Sequence, residues 1–145
     1  MTEQPPPPGF EPYERPSPLL DPWRPLWVQE LTDRTIMGVR VREAHCNSRG
    51  TVHGGFYAAL ADQATGLTCS HQILAAGLPL QQILTTSLTI DYLAGAKVGQ
   101  WLTFDTHFNK GNRSTWYAEI DICADGQTVA RGHATFRVKL NEDPK

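Results

Sequence analysis

The sequence of 145 residues predicts a single α+β domain in which one long helix packs against an antiparallel sheet. A run rich in alanine and leucine, from about residue 55 to 75, has apolar residues at helical spacing and ends at a glycine and a proline. The chain after residue 80 is instead rich in threonine, valine, isoleucine and aromatic residues, in long stretches divided by turn sequences. A central helix followed by four long strands is the order expected when a curved antiparallel sheet wraps around one helix.

The proline-rich start of the chain predicts little structure of its own. Nine of the eleven prolines precede residue 26, so residues 1–18 are expected to form an extended or disordered tail, with the domain spanning 19–145. Asp21 followed by Pro22 is typical of a helix N-terminus and predicts a short helix over about 21–31. Alternating side chains over 34–44 then predict the first strand.

The long helix comes next, and its small residues predict a close approach to the sheet. Alanines and glycines keep one side of the run slim, while larger apolar residues recur at helical spacing. Turn sequences, among them Asp125-Gly126, divide the rest of the chain. The four predicted strands span 82–93, 101–109, 114–124 and 128–140.

Charge and cysteine content exclude some classes of partner. The formal net charge is −2 and no run of Lys or Arg occurs, whereas nucleic acid and anionic membranes bind basic surfaces. The three cysteines are widely spaced, which suits a reducing compartment better than a disulfide framework. The sequence shows neither a signal-peptide pattern nor the ~18 consecutive apolar residues of a membrane span. We therefore expect a soluble, cytoplasmic protein that binds neither nucleic acid nor membrane.

Two features of the stretch around the helix start suggest chemistry. Gly54 and Gly55 follow His53 at the predicted N-terminus, where free backbone amides and the helix dipole can stabilise an oxyanion. A glycine pair needed only for a tight turn is an equally good explanation of these residues alone. Asp62 lies among alanines and leucines, and no Lys or Arg stands three or four positions away to pair with it. We expect this acid at the edge of the core, facing a pocket.

The spacing of these features favours a dimer. Gly54 and Asp62 are eight residues apart, which is about 12 Å along an α-helix. A carboxylate at that distance cannot easily reach a group bound at the N-terminus of its own helix. If both residues act in one reaction, they come from two chains across a two-fold axis, and each dimer holds two sites.

A longer motif resembles a known family. The pattern Asn47-x5-His53-Gly54-Gly55-x6-Asp62 is similar to that of the PaaI-like acyl-CoA thioesterases, the phenylacetate-pathway type of hotdog-fold enzyme. The resemblance covers about residues 34–138 and includes "LTTSLTIDYLAGAKVGQ" (84–100), "NKGNRS" (109–114) and "DGQTVARGHATF" (125–136). It implies a hotdog fold, a dimer or dimer of dimers, and hydrolysis of a small to medium acyl or aryl-acyl thioester.

The resemblance also implies roles for individual residues. Asp62 would attack the thioester or activate a water as general base, and the Gly54 amide would polarise the carbonyl. Asn47 and His53 would fix the carbonyl or the water, and Thr85 would steady the water. The substrate-binding residues would be Gly55 together with Lys110 and Arg113, the two cations meeting coenzyme A phosphates. Asn112 separates glycine from arginine in this turn, where members often have the two adjacent.

Other chemistries fit the sequence less well. The histidines and cysteines lack metal-ligand spacing, so we expect no metal and no cofactor apart from coenzyme A as part of the substrate. Nothing marks Cys46 as an activated nucleophile. Two alternatives stay open: a non-catalytic acyl-CoA binder or sensor, and a hotdog dehydratase or hydratase acting on an acyl thioester.

Overall fold

The structure is a computed structural model that describes residues 4–141. One helix, α1, lies across a seven-stranded antiparallel sheet with strand order β1-β2-β3-β5-β6-β7-β4. Single 3₁₀ turns occupy Asp21–Trp23 and Glu43–His45. The elements, in chain order, are β1 (Glu11–Pro12), β2 (Trp27–Glu30), β3 (Thr35–Arg40), α1 (Gly54–Ala75), β4 (Leu80–Tyr92), β5 (Trp101–Gly111), β6 (Thr115–Ala124) and β7 (Gln127–Leu140).

The predicted α+β architecture, with a long helix against a curved antiparallel sheet, is confirmed. The helix starts at Gly54 and ends at Ala75, and Gly77 follows with a φ of +81° that favours glycine. The four long strands lie within a few residues of the predicted positions. Among residues 4–141, no helix is long and apolar enough to cross a membrane.

The core lies between α1 and the inner face of the sheet. On β6, alternate side chains from Trp116 to Ala124 are buried, as period-two alternation requires of a strand with one covered face. Small side chains let the helix approach: Ala61 and Ala64 on α1, and Ala118 and Ala134 on the sheet, are all fully buried. The slim helix surface inferred from the sequence is therefore the surface that packs.

The predicted helix over 21–31 is wrong. Only one 3₁₀ turn forms, and Trp27–Glu30 is strand β2, paired with β3. Pro25 accounts for the difference, since the residue before a proline avoids the helical region. Arg24 accordingly has a ψ of 152°, and the chain leaves the turn extended.

The predicted separate tail over residues 1–18 is also wrong for the residues next to β2. Glu11–Pro12 pairs with β2, and the Phe10 ring packs edge-on against Trp101 at 5.1 Å. A Cβ on Gly38 would lie 2.3 Å from the Trp101 ring and 2.9 Å from Phe10, so glycine makes room for this contact. The part of the predicted tail over 1–3, like the end of the domain at 142–145, lies outside the described residues.

Candidate active site

Asp62 and Thr85 form a pair between the helix and the sheet. Asp62 lies half-buried on α1, and the Thr85 hydroxyl on β4 donates a hydrogen bond of 2.6 Å to its Oδ1. A bulge between Thr85 and Ser87 interrupts the pairing of β4 with β7, and such bulges re-aim neighbouring side chains. The structure therefore joins two residues that stand 23 positions apart in the sequence.

The N-terminus of α1 presents one free amide. The Nδ1 of His53 caps the helix by accepting from the Gly55 N–H at 2.8 Å. The His53 carbonyl accepts from the amides of Phe56 and Tyr57 at 3.0 and 3.3 Å. Among the first four amides of the helix, only that of Gly54 has no acceptor within the described residues 4–141. A helix N-terminus with one unoccupied N–H is suited to bind an oxyanion.

Tyr92 holds the other side of Gly54. Its hydroxyl, at the end of β4, donates to the Gly54 carbonyl at 2.8 Å. A Cβ on Gly54 would come within 3.2 Å of the Tyr92 ring, so the close approach of the ring is one reason for glycine at this position. Tyr92 could not be predicted as a site residue, because no local sequence pattern shows which strand end meets the start of the helix.

Asn47 shapes the turn that leads into the helix. Its Oδ1 accepts from the amides of Arg49 and Thr51 at 2.9 and 3.3 Å, and its Nδ2 donates to the Thr51 hydroxyl at 3.0 Å. These bonds form an Asx-type turn. Within one chain, the side-chain amide of Asn47 is thus engaged in the loop itself.

His45 packs against the first turn of α1. Its ring is buried and stacks on Phe56 with centroids 4.4 Å apart. Nδ1 accepts from the Arg42 amide and Nε2 donates to the Trp23 carbonyl, both at 3.1 Å, which requires the neutral ring. Burial lowers the pKa of His45 below its usual value of 6.5, and the nearby Arg42 charge acts in the same direction.

Lys110 and Arg113 lie at the β5–β6 hairpin, apart from Asp62. The Asn112 Oδ1 organises this hairpin by accepting from the amides of Ser114 and Thr115, both at 2.9 Å. Thr85 pairs with Phe136 on β7, Phe136 pairs with Trp116 on β6, and Trp116 pairs with Gly111 at the end of β5. Three strand spacings, about 14 Å, therefore separate Thr85 from Gly111 in this hairpin. Both cations are exposed, and neither forms an ion pair within residues 4–141.

An open cleft of about 740 Å³ extends from Asp62 and Thr85. It lies between α1, the first part of β4 and residues 13–18, and it has the size of a small-molecule site. The residues described here contain no cluster of three or more His, Cys, Asp or Glu that could hold a metal. Burial, helped by the Glu43 carboxylate, raises the pKa of the Cys46 thiol, which leaves it unsuited to nucleophilic attack.

The predicted site residues thus fall into three groups within one chain. Asn47, His53, Gly54 and Gly55 gather at the start of α1, Asp62 meets Thr85 two turns further along, and the two cations lie on a hairpin. The unbroken helix keeps the first two groups about 12 Å apart.

Comparisons with known proteins identify the family and support the fold. The model of the thioesterase superfamily matches residues 49–131. A candidate esterase of Pseudomonas aeruginosa is 32% identical over 133 residues, covering 91% of this chain and 96% of that protein. Acyl-coenzyme A thioesterase 13 of Mus musculus is 28% identical and covers 74% of this chain and 75% of its own. A mutant of the phenylacetic acid degradation protein PaaI from Thermus thermophilus has the same fold, with a TM-score of 0.71, 24% identity and coverage of 83% and 98%.

Proposed function

Since this chain belongs to the thioesterase superfamily and is a thioester hydrolase, we propose that its substrates are small to medium acyl or aryl-acyl thioesters of coenzyme A. The observation that carries the proposal is the Asp62–Thr85 pair at the mouth of the cleft. The acyl-coenzyme A thioesterase among the relatives supports the choice of coenzyme A. Hydrolysis releases the free acid and the coenzyme A thiol.

Asp62 is the reacting carboxylate in this proposal. It either attacks the thioester carbonyl or takes a proton from an attacking water, and the Thr85 hydroxyl keeps it oriented. The free Gly54 N–H donates a hydrogen bond to the carbonyl oxygen and stabilises the negative charge that develops there. The thiolate then leaves. Label in the Asp62 carboxylate after a single turnover in ¹⁸O-water would identify Asp62 as the nucleophile, because a general base never gains the oxygen of the attacking water.

Two chains supply one site. Gly54 and Asp62 lie on one continuous helix, eight residues or about 12 Å apart, so they would not act on one carbonyl within a single chain. β4 is an edge strand of 13 residues, and such a long unpaired edge is a template for strand pairing. Leu84 and Tyr92 on it are 50% and 53% exposed. Pairing of β4 with β4 of a second copy would cover both.

The register of this pairing follows from the site. Antiparallel pairing about a two-fold axis at residue 89 sets Ser87 of one chain opposite Asp91 of the other, and the extra residue of the bulge then sets Thr85 opposite Tyr92. Tyr92 contacts Gly54 and Thr85 contacts Asp62, so each oxyanion amide approaches the other chain's carboxylate. A dimer of dimers would repeat this arrangement without altering it.

The activity is tested by thiol release from a panel of acyl-coenzyme A substrates. Asp62→Asn should abolish turnover on the best substrate, whereas Asp33→Asn, which removes an exposed carboxylate in the turn between β2 and β3, should not. If Asp62→Asn retains wild-type turnover, the assignment of the reacting carboxylate is wrong. Tight binding of acyl-coenzyme A by the wild type without thiol release would contradict the proposed reaction altogether.

The shared site is tested by complementation. Asp62→Asn and Gly54→Pro chains, inactive alone, are co-expressed with different tags and the mixed dimer is isolated. One of its two sites combines an intact Asp62 with an intact Gly54, so the mixed dimer should show roughly half the wild-type activity per dimer. A mixed dimer as inactive as its parents would show that each site lies within one chain.

A further inference from the structure

Residues 13–18, which we call the N-terminal strap, form one wall of the cleft that starts at Asp62. We propose that this strap selects the substrate, and that Arg15 on it binds an anionic group of the thioester. The inference rests on the proposed function and adds the residue that distinguishes one thioester from another.

The strap is held in place by the residues that follow it. The Tyr13 amide donates to the Leu26 carbonyl at 2.8 Å, which continues the pairing of β1 with β2. The Arg24 guanidinium donates to the carbonyls of Tyr13 and Arg15 and lies 5.7 Å from the centre of the Tyr13 ring. Asp21 accepts from the Ser17 amide at 3.2 Å and from Arg24 Nε at 2.9 Å. The strap is thus a formed wall before any substrate binds.

One contact fixes the strap against the helix beside the reacting carboxylate. Gln63 Nε2 donates a hydrogen bond of 2.8 Å to the Tyr13 hydroxyl, and Gln63 directly follows Asp62. From Asp62 the floor of the cleft runs along Gly66, Ser70 and Leu74, a stripe at every fourth helix position. Twelve residues of helix span about 18 Å, so the strap borders a groove rather than a point.

Charge gives Arg15 its role. Among residues 4–141, Arg15 is the one Lys or Arg that lines the cleft, and Asp62 is the one carboxylate. The Arg15 side chain is exposed and forms no hydrogen bond or ion pair with any residue from 4 to 141. The contact with Arg24 involves only the backbone carbonyl of Arg15. A planar guanidinium binds carboxylates and phosphates through two parallel hydrogen bonds. An apolar acyl chain leaves such a cation without a partner, whereas a carboxylate at the end of the acyl group, or a phosphate of coenzyme A, occupies it.

The test separates these two sources of the anion. Wild type and Arg15→Gln are assayed on butyryl-coenzyme A and succinyl-coenzyme A, which differ in a terminal carboxylate, and on the corresponding N-acetylcysteamine thioesters, which lack the phosphates. If Arg15 binds the acyl carboxylate, the variant loses about five- to tenfold in kcat/KM on both succinyl thioesters and on neither butyryl thioester. If it binds a phosphate, the loss falls on both coenzyme A thioesters only. In either case the loss is mainly in KM and shrinks at high salt.

Arg137→Gln is the matched control. Arg137 is exposed on β7, and it follows Phe136, which lines the cleft, so alternation places its side chain on the opposite face of the sheet. This variant should match the wild type on all four substrates. Equal kcat/KM for Arg15→Gln and wild type on every substrate, with Asp62→Asn inactive, would overturn the role of the strap and leave the proposed function standing. Absence of hydrolysis by the wild type would instead overturn the proposed function.

Discussion

Substituting proline for Gly54 removes the proposed oxyanion donor with little change to the backbone. Gly54 is the first residue of α1 after the cap His53, and proline is tolerated at that position. His53 has φ −68° and ψ 135°, which lies in the region that a residue before proline prefers. The helix should therefore form in the variant while the free N–H is lost.

The expected loss follows from the part that one amide plays in the reaction. The His53 side chain and carbonyl occupy the next three amides of the helix, so no second free N–H replaces that of Gly54. Removing one oxyanion donor costs about 10²–10³ in kcat. The proline ring also fills the space in front of the lost N–H, which acts in the same direction.

Gly54→Ala is the matched control, because it adds a Cβ and keeps the amide. That Cβ would lie 3.2 Å from the Tyr92 ring, a contact that a shift of a few tenths of an ångström relieves, so we expect a loss of only about threefold. The assay is kcat on the best acyl-coenzyme A, with thermal unfolding and circular dichroism to verify the helix. If Gly54→Pro is folded and equals Gly54→Ala in kcat, the Gly54 amide is not the oxyanion donor.

Three other substitutions or modifications test the surrounding structure. Thr85→Val should lower kcat by about tenfold or more, since a hydrogen bond to a charged group contributes about 1.5–3 kcal/mol. Thr85→Ser keeps the hydroxyl and should retain most of the activity. Equal kcat for the two variants would show that the hydrogen bond to Asp62 plays no part in the reaction. Burial lowers the pKa of His45, so the contribution of its neutral ring to stability is complete above pH 6.5 and is lost as the pH falls through the folded-state pKa. The free energy of unfolding in urea should therefore decrease less steeply at acidic pH for His45→Gln than for the wild type. An equal decrease in the two proteins would contradict the assignment. Burial raises the pKa of Cys69 to about 12, so iodoacetamide at neutral pH should label the half-buried Cys123 first, and earlier labelling of Cys69 by mass spectrometry would show that its burial is wrong.

The sequence predicted the second half of the fold better than the first. The helix and the four long strands have enough residues for their periodicity to stand out. β1 and β2 have only two and four residues, and they exist because β3 offers an edge on which to pair. Trp27 matches a helical apolar stripe as well as a strand, so only the tertiary contact decides between the two.

At the site, too, the sequence predicts distances within one helix but not contacts between distant segments. Distances along α1 follow from residue numbers, so the separation of Gly54 from Asp62 could be predicted. Contacts between distant segments could not, and these include Tyr92 on Gly54 and Tyr13 on Gln63, which are 38 and 50 positions apart. Both contacts involve tyrosine hydroxyls that reach the helix from elsewhere in the fold. Their partners carry no local sequence signal.

The bulge in β4 explains how one strand serves both ends of the site. Thr85 and Tyr92 are seven positions apart, so a regular strand would point them to opposite faces of the sheet. The extra residue between Thr85 and Ser87 corrects this: Thr85 pairs with Phe136 and Tyr92 with Ala130, and both partners are buried on the helix side. One hydroxyl can then hold Asp62 while the other holds Gly54. Because a one-residue change in register turns a side chain to the other face, the bulge is as necessary to the site as the two residues that it aligns.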